Sequence, residues 1–201
     1  MALSHKALKA VVFDVGETLV DETSLWERVA DACGVPRFTL MALVGAAIAR
    51  GESHLAAFDR LGVEPPPRDG RSFDVFYPDT LPCLRTLRKR GFWLGAVGNM
   101  GVVHEELVRP HVDLVASSER WGVEKPSPEF FARIVSESGF EAGELAYVGD
   151  RVDNDVAPAR AAGMLAVHVR RGPWGYLHDP SGAHVRVGSL AELPDRLAPY
   201  A

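Results

Sequence analysis

The sequence predicts an α/β protein: a doubly wound parallel sheet of Rossmann-like form, with a small helical cap inserted after the first strand. Three observations lead there. Short apolar runs rich in β-branched residues recur along the chain and read as strands buried on both faces. Helical patterns ending at glycines alternate with those runs, as they do in an open sheet with helices on both faces. One stretch, residues 21–77, breaks the rhythm and reads as helices alone.

In chain order, Ala10 to Phe13 is the first strand, wholly apolar, and it stops at Asp14 with Gly16 just beyond. Phe92 to Val97, Val112 to Ala116, Leu145 to Val148 and Leu165 to Val169 repeat that signature. Helices are expected at Asp79 to Arg90, Pro128 to Ser138 and Asn154 to Ala162, with Gly91, Gly139 and Gly163 where helix stops belong. Between the first strand and the rest lie helices at Ser24 to Cys33 and Phe38 to Arg50. The breaker cluster Pro65, Pro66, Pro67 and Gly70 follows them and reads as a stiff connector. The predicted division is a core of residues 1–20 and 78–201 and a cap of residues 21–77. Ligands of such sheets gather at the carboxyl ends of the strands, so function is expected after Phe13, Val97, Ala116 and Val148.

The chain has 201 residues, 47% of them hydrophobic and 24% charged, with a formal net charge of -5. One main core can be buried at that size. The charge supplies no field that would draw nucleic acid or an anionic membrane, and neither partner is predicted. Met1 to Ala10, with Lys6 and Lys9, is too polar for a signal peptide, and no apolar stretch approaches the roughly 20 residues of a membrane helix. Cys33 and Cys83 lie far apart and show neither metal-site nor disulfide spacing. A soluble, cytoplasmic protein is expected, and no oligomeric state is predicted.

Three segments carry chemistry. In Phe13-Asp14-Val15-Gly16-Glu17-Thr18-Leu19 a carboxylate stands at the mouth of a buried strand, where it can cap a turn or meet a ligand. Gly16 lets the backbone turn close to that point. In Tyr147-Val148-Gly149-Asp150-Arg151-Val152-Asp153-Asn154-Asp155 several acids crowd another strand end and repel one another unless a cation or a basic residue neutralises them. Asp150 is expected to hold Mg²⁺, which takes one or two carboxylates and keeps water or phosphate oxygens as its other ligands. Asp153 and Asn154 are expected to cap the following helix. In Gly122-Val123-Glu124-Lys125-Pro126-Ser127-Pro128 a lysine on stiff backbone can deliver a fixed positive charge, and Pro128 is placed to open a helix.

Taken together and in this order, the three segments resemble the haloacid dehalogenase superfamily, with Asp14 in motif I, Lys125 in motif III, and Asp150 and Asp155 in motif IV. The resemblance runs from Val11 to about Gly172, and the helical insertion resembles the small cap of the subgroup that includes phosphatases and dehalogenases. It implies that Asp14 is a nucleophile attacking phosphorus to form an aspartyl-phosphate, which water then hydrolyses. It implies Mg²⁺ held by Asp14, the main-chain carbonyl of Gly16 and Asp150, with Asp155 in or near the coordination sphere. Lys125 and the metal would neutralise the crowded anions.

Two positions depart from the family's pattern. Gly16 stands where most phosphatases of the family carry a second aspartate, the proton shuttle, and Glu17 is the nearest substitute, though an offset of one residue normally turns such a side chain away from the site. General acid or base groups contribute about 100 to 10,000-fold, so the loss is expected to be felt most with poor leaving groups. Gly98 stands where the family places a phosphate-binding Ser or Thr, leaving the N–H groups of Gly98, Asn99 and Met100, and the Asn99 side chain, as phosphate donors.

The function expected is a Mg²⁺-dependent phosphatase acting on a small phosphorylated metabolite. A 2-haloacid dehalogenase also fits the nucleophile and the missing second aspartate, but its metal-free chemistry leaves Asp150 and Asp155 without work. A silent binding protein fits the two departures but not the preserved nucleophile, lysine and carboxylates. A phosphonate hydrolase needs a cap lysine, and none lies between Lys9 and Lys89. His104, His111, His168 and His178 show no paired ligand spacing. Trp26 and Trp121 are expected in the core or lining a pocket, and Arg170 to Gly175 is expected as a solvated loop anchored by Trp174.

Overall fold

Alternation within Ala10–Phe13 sends Val11 and Phe13 to one face of the central sheet and Ala10 and Val12 to the other, and separate apolar clusters cover both faces. In this computed structural model residues 7–67 and 75–201 are described. The first six residues, Lys6 among them, and Gly70 of the breaker cluster lie outside the described residues.

Among the described residues six parallel strands form one sheet: β1 (Ala10–Phe13), β2 (Trp93–Gly98), β3 (Leu114–Ser117), β4 (Leu145–Gly149), β5 (Leu165–Val169) and β6 (Val185–Val187). Their order is β3-β2-β1-β4-β5-β6, so the chain winds outward on one side of β1 and then on the other. The doubly wound sheet expected from the sequence is therefore the fold. Its switch point lies between β1 and β4, where Phe13 pairs with Val148 and the Asp14 N–H donates to Val148 O at 2.8 Å. Asp14 and Asp150 thus leave adjacent strands side by side, in the crevice where such sheets bind ligands.

Phe13, Leu94, Val148 and Val167 are fully buried on one face and Tyr147, Phe130, Phe131 and Ile134 on the other. Each large apolar side chain so buried stabilises the fold by roughly 1.5–3 kcal/mol. The helix Pro128–Ser138 has the predicted bounds: Ser127 caps its start by accepting from the Glu129 N–H, and Gly139, at φ 74, ends it. The stretch expected as a helix from Asn154 opens instead with a π-helical turn over Val152–Val156, and α-helix follows at Ala157–Ala161. Pro158 supplies no N–H to that ladder, and both Asp155 N and Val156 N turn back to Arg151 O. Strand β6 has no sequence signal, being three residues long with exposed Arg186 between two valines.

Between β1 and β2 stand the expected helices, at Thr23–Ala32 and Arg37–Ala49, and a third at Ala56–Leu61, too short to show a period. They share an apolar cluster of Ala30, Leu40, Val44, Ile48, Ala57 and Phe58, which Trp174 joins. Their two connections to the sheet run side by side: Asp21 N donates to Val75 O and Tyr77 N to Leu19 O. No single described helix is long and apolar enough to cross a membrane.

Candidate active site

Asp14, Lys125, Asp150 and Asp155, drawn from three separate segments, converge beyond the carboxyl ends of β1 and β4. Lys125 Nζ lies 2.7 Å from Asp14 Oδ1 and 2.6 Å from Asp155 Oδ1. Asp155 Oδ2 accepts the Arg151 N–H at 3.0 Å, so both of its oxygens are engaged. The π-helical turn aims Asp155 back across the strand end, where a Cβ at Gly149 would sit 2.4 Å from its carboxyl carbon. Glycine is required there.

Each Asp14, Asp150 and Asp155 offers a carboxylate oxygen within 4.8 Å of the others. Burial raises the Asp14 pKa to about 6 against the pull of Lys125. Burial, with Asp155 and Asp14 nearby, holds Asp150 well above the usual carboxylate range. Burial alone would lower Lys125, but Asp14 and Asp155 outweigh it and keep the ammonium charged. Asp150 Oδ2 is buried without a hydrogen-bond partner among the described residues. One lysine among three buried carboxylates leaves an anionic excess, and a partnerless oxygen inside it suits a hard cation.

Asn99, just past β2, makes a reciprocal pair with the Lys125 backbone: Nδ2 donates to Lys125 O at 2.9 Å, and Lys125 N donates to Oδ1 at 2.8 Å. Its side-chain carbonyl and one hydrogen of the amide, the group expected to donate to phosphate, are therefore committed to holding the lysine. At Gly98 a Cβ would come 3.0 Å from Asp14 Oδ1, so glycine lets β2 end directly against the aspartate.

Glu17 is turned away from the site, as its one-residue offset implies. Its φ of 52 turns the side chain aside, and its carboxylate accepts the Tyr77 O–H at 2.6 Å and the Glu22 N–H at 3.0 Å. It packs on Gly172, where a Cβ would lie 2.5 Å from Glu17 Oε2. Trp174 anchors the Arg170 to Gly175 segment as expected, but beyond exposed Arg170 it is a packed buttress, helical from Gly172, rather than a solvated loop. Arg171 is buried, donates to Thr18 O at 2.7 Å and to Asp79 Oδ2 at 2.6 Å, and its guanidinium lies over the Tyr77 ring.

A cavity of about 370 Å³ opens over Asp14, Gly16, Gly98, Asn99, Lys125 and Asp150. Trp26 lines it, as one of its two sequence readings expected, whereas Trp121 is core, edge-on to Phe130. The remaining wall contains residues that sequence reasoning passed over: Glu22, His54, Arg151 and Trp174. His54 stands edge-on between the rings of Trp26 and Trp174, and the Arg151 guanidinium lies 4.7 Å over Trp174. Burial and Arg151 lower the His54 pKa, keeping it neutral. Burial and the Glu17 and Asp14 carboxylates raise Glu22 to about 8. Glu22 shows no spacing to the motifs, and its one signal is that it opens the first cap helix, next to the site.

The family model for haloacid dehalogenase-like hydrolases matches residues 8–163. A glyceraldehyde 3-phosphate phosphatase of Methanopyrus kandleri is 32% identical over 206 aligned residues, covering 83% of this chain and 86% of the relative. Among solved structures, a phosphatase of Thermococcus onnurineus aligns with a TM-score of 0.64 at 23% identity, covering 95% of this chain and 98% of the other. A 2-haloacid dehalogenase of Pseudomonas syringae gives the same TM-score and identity, covering 96% and 100%. Fold likeness alone therefore does not separate the two chemistries. The matched span takes in Asp14, Lys125, Asp150 and Asp155, and the chain belongs to the haloacid dehalogenase-like hydrolase family.

Proposed function

We propose that this protein is a Mg²⁺-dependent phosphatase that acts on a small phosphorylated metabolite through an aspartyl-phosphate on Asp14. The observation that carries the reading is the buried anionic excess around Asp150, whose Oδ2 has no partner among the described residues. A metal-free dehalogenase gains nothing from that arrangement, whereas a phosphatase needs a cation to bring a phosphate dianion up to a carboxylate. The phosphatase name of the Methanopyrus kandleri relative, similar over most of both chains, supports the same choice.

Asp14, the Gly16 carbonyl and Asp150 would hold Mg²⁺, with Asp155 at the edge of the set because both its oxygens are engaged. Bound there, the ion would offset the charge that gathers on the transferring phosphoryl group. Asp14 attacks phosphorus, and Lys125, fixed from behind by Asp155 and along its backbone by Asn99, neutralises Asp14 and the incoming oxygens. Gly98 and Asn99 line the same cavity, and main-chain N–H groups at this strand end would be the donors to phosphate. The helices of residues 21–77 act as a cap whose Trp26 and His54 close the cavity and restrict its content to a small metabolite, such as the triose phosphate named for the relative. The free thiols Cys33 and Cys83 suit work in the cytoplasm.

The test is a screen of phosphorylated metabolites with and without Mg²⁺, with Asp14→Asn as control and 2-chloropropionate as the dehalogenase probe. Phosphate release that needs both Mg²⁺ and Asp14 is expected. Chloride release without Mg²⁺, and no phosphate release with it, would overturn the reading.

A further inference from the structure

Gly16 removes the side chain that would move protons for this reaction, yet the space beside it is filled. A Cβ built on Gly16 would lie 2.2 Å from Glu22 Oε1, 2.7 Å from Glu22 Cδ and 3.3 Å from Oε2. The carboxyl group of Glu22 therefore stands where a side chain at position 16 would begin. Its placement is built from several directions. The Glu22 backbone precedes the helix Thr23–Ala32, and its N–H is held by Glu17 Oε1 at 3.0 Å. Glu17 is itself held by the Tyr77 O–H at 2.6 Å and by close packing on Gly172. The Glu17 side chain, turned aside by its left-handed backbone, thus positions Glu22 instead of replacing it. Glu22 and Asp14 line the same cavity.

We propose that Glu22 is the general acid and base of this enzyme, supplied from the cap side in place of the absent residue-16 carboxylate. The proposal rests on the phosphatase reading. In the first step an Asp14 oxygen bonds to phosphorus, the bond from phosphorus to the leaving-group oxygen breaks, and the Glu22 carboxyl passes its proton to that oxygen. In the second, the Glu22 carboxylate takes a proton from water as the water oxygen bonds to phosphorus. The bond to Asp14 breaks, releasing its carboxylate and inorganic phosphate and leaving Glu22 protonated for the next turnover. A group in this place acts on the leaving oxygen, so the weakness toward alkyl phosphates expected from Gly16 alone is absent from the intact protein.

The two positions share one space: a side chain at position 16 would displace the present Glu22 carboxyl, and shortening Glu22 makes room for it.

The experiment compares an aryl phosphate, p-nitrophenyl phosphate, with an alkyl phosphate, glycerol phosphate, in Mg²⁺ for the parent, Glu22→Gln, Glu22→Asp, Gly16→Asp and the exchange pair Gly16→Asp with Glu22→Ala. Intact-mass measurement follows the phosphorylated protein. Glu22→Gln, nearly the same in shape, is expected to lose about 100-fold or more on the alkyl phosphate and much less in the first step on the aryl phosphate. It should accumulate the Asp14 adduct with the aryl donor. Glu22→Asp should keep more alkyl turnover than Glu22→Gln, and the exchange pair more than Gly16→Asp alone. A parent active on both substrates, with an unchanged alkyl-to-aryl ratio and no adduct in Glu22→Gln, overturns the role of Glu22 while leaving the phosphatase reading intact. A parent that releases phosphate from neither these probes nor the metabolite screen overturns both.

Discussion

Lys125 Nζ and Asp155 Oδ1 lie 2.6 Å apart with their side chains 3% and 0% exposed, so the ion pair that fixes the lysine is unscreened by solvent. Asp155→Asn keeps the shape but removes the charge. It also forces an amide to face two donors, the Lys125 ammonium and the Arg151 N–H, with a single acceptor atom. Breaking a buried pair on one side costs about 3–5 kcal/mol, and because Asp14 still partners Lys125 the loss here should fall near the lower end. The urea midpoint should drop with the slope unchanged, and turnover should fall with it. A midpoint equal to that of the parent would show that the pair carries no stability.

Asp150 gives the opposite sign when no metal is present. Its buried, partnerless oxygen and its two carboxylate neighbours oppose ionisation, so Asp150→Asn without metal should be at least as stable as the metal-free parent. With Mg²⁺ the order reverses. At a concentration 100 times the dissociation constant the ion should add about 2.7 kcal/mol to the parent, little to the variant, and chelation should remove the gain. Melting curves with and without Mg²⁺ check both halves, and equal stabilisation of the two proteins would place the metal elsewhere.

Much of this was legible because strand ends are marked twice, by an apolar run and by the residue that stops it. Ala10–Phe13 and Leu145–Gly149 carry Asp14 and Asp150 on adjacent strands, and a parallel sheet with its switch point there brings the two together. Lys125 and Asp155 were legible as charges, and their convergence came from the family resemblance rather than from any local pattern. Glu22, His54 and Trp174 were not legible as site residues. They reach the cavity through side-chain packing between the inserted helices and the sheet, a tertiary relation with no period in the sequence. The role of Arg171 was hidden for the same reason, since its partners Thr18 and Asp79 are 153 and 92 residues away.

The end of β2 makes a third prediction. A serine at Gly98, the residue type expected from the family, would bring its Cβ to 3.0 Å from Asp14 Oδ1. Overpacking of this kind costs about 1–3 kcal/mol, and here the neighbour that must yield is the nucleophile paired with Lys125. Gly98→Ser should therefore lower kcat more than it raises KM, despite supplying a hydroxyl for phosphate. A rise in turnover would show that Asp14 shifts without harm and that the missing hydroxyl was the larger deficit.

The last prediction concerns the buttress behind Glu17. Asp79 Oδ2 accepts from Arg171 Nη2 and Ser189 Oγ, each at 2.6 Å, and from the Leu190 N–H at 2.9 Å. Arg171 in turn lies over the ring of Tyr77, whose hydroxyl holds Glu17. Burial alone would raise the Asp79 pKa, but the hydrogen bonds from Ser189 and Arg171 outweigh it and leave the folded value below the ordinary 3.8. A depressed folded pKa contributes stability that is present above the unfolded value and is lost as the pH falls through the folded one. Asp79→Asn should cost about 1.5–3 kcal/mol at pH 7, the range for hydrogen bonds to a charged group. Because asparagine does not titrate, the gap between parent and variant should stay constant down to the ordinary carboxylate value and close as the pH falls below it. Urea midpoints at neutral pH and at pH values below 3.8 measure that closure. A gap that persists or widens in acid would mean that the Asp79 contribution is packing, independent of its charge. If Tyr77 loosens with Arg171, the Glu17 contact to the Glu22 N–H loosens too, so the variant should also lose turnover on alkyl phosphates before it loses turnover on aryl ones.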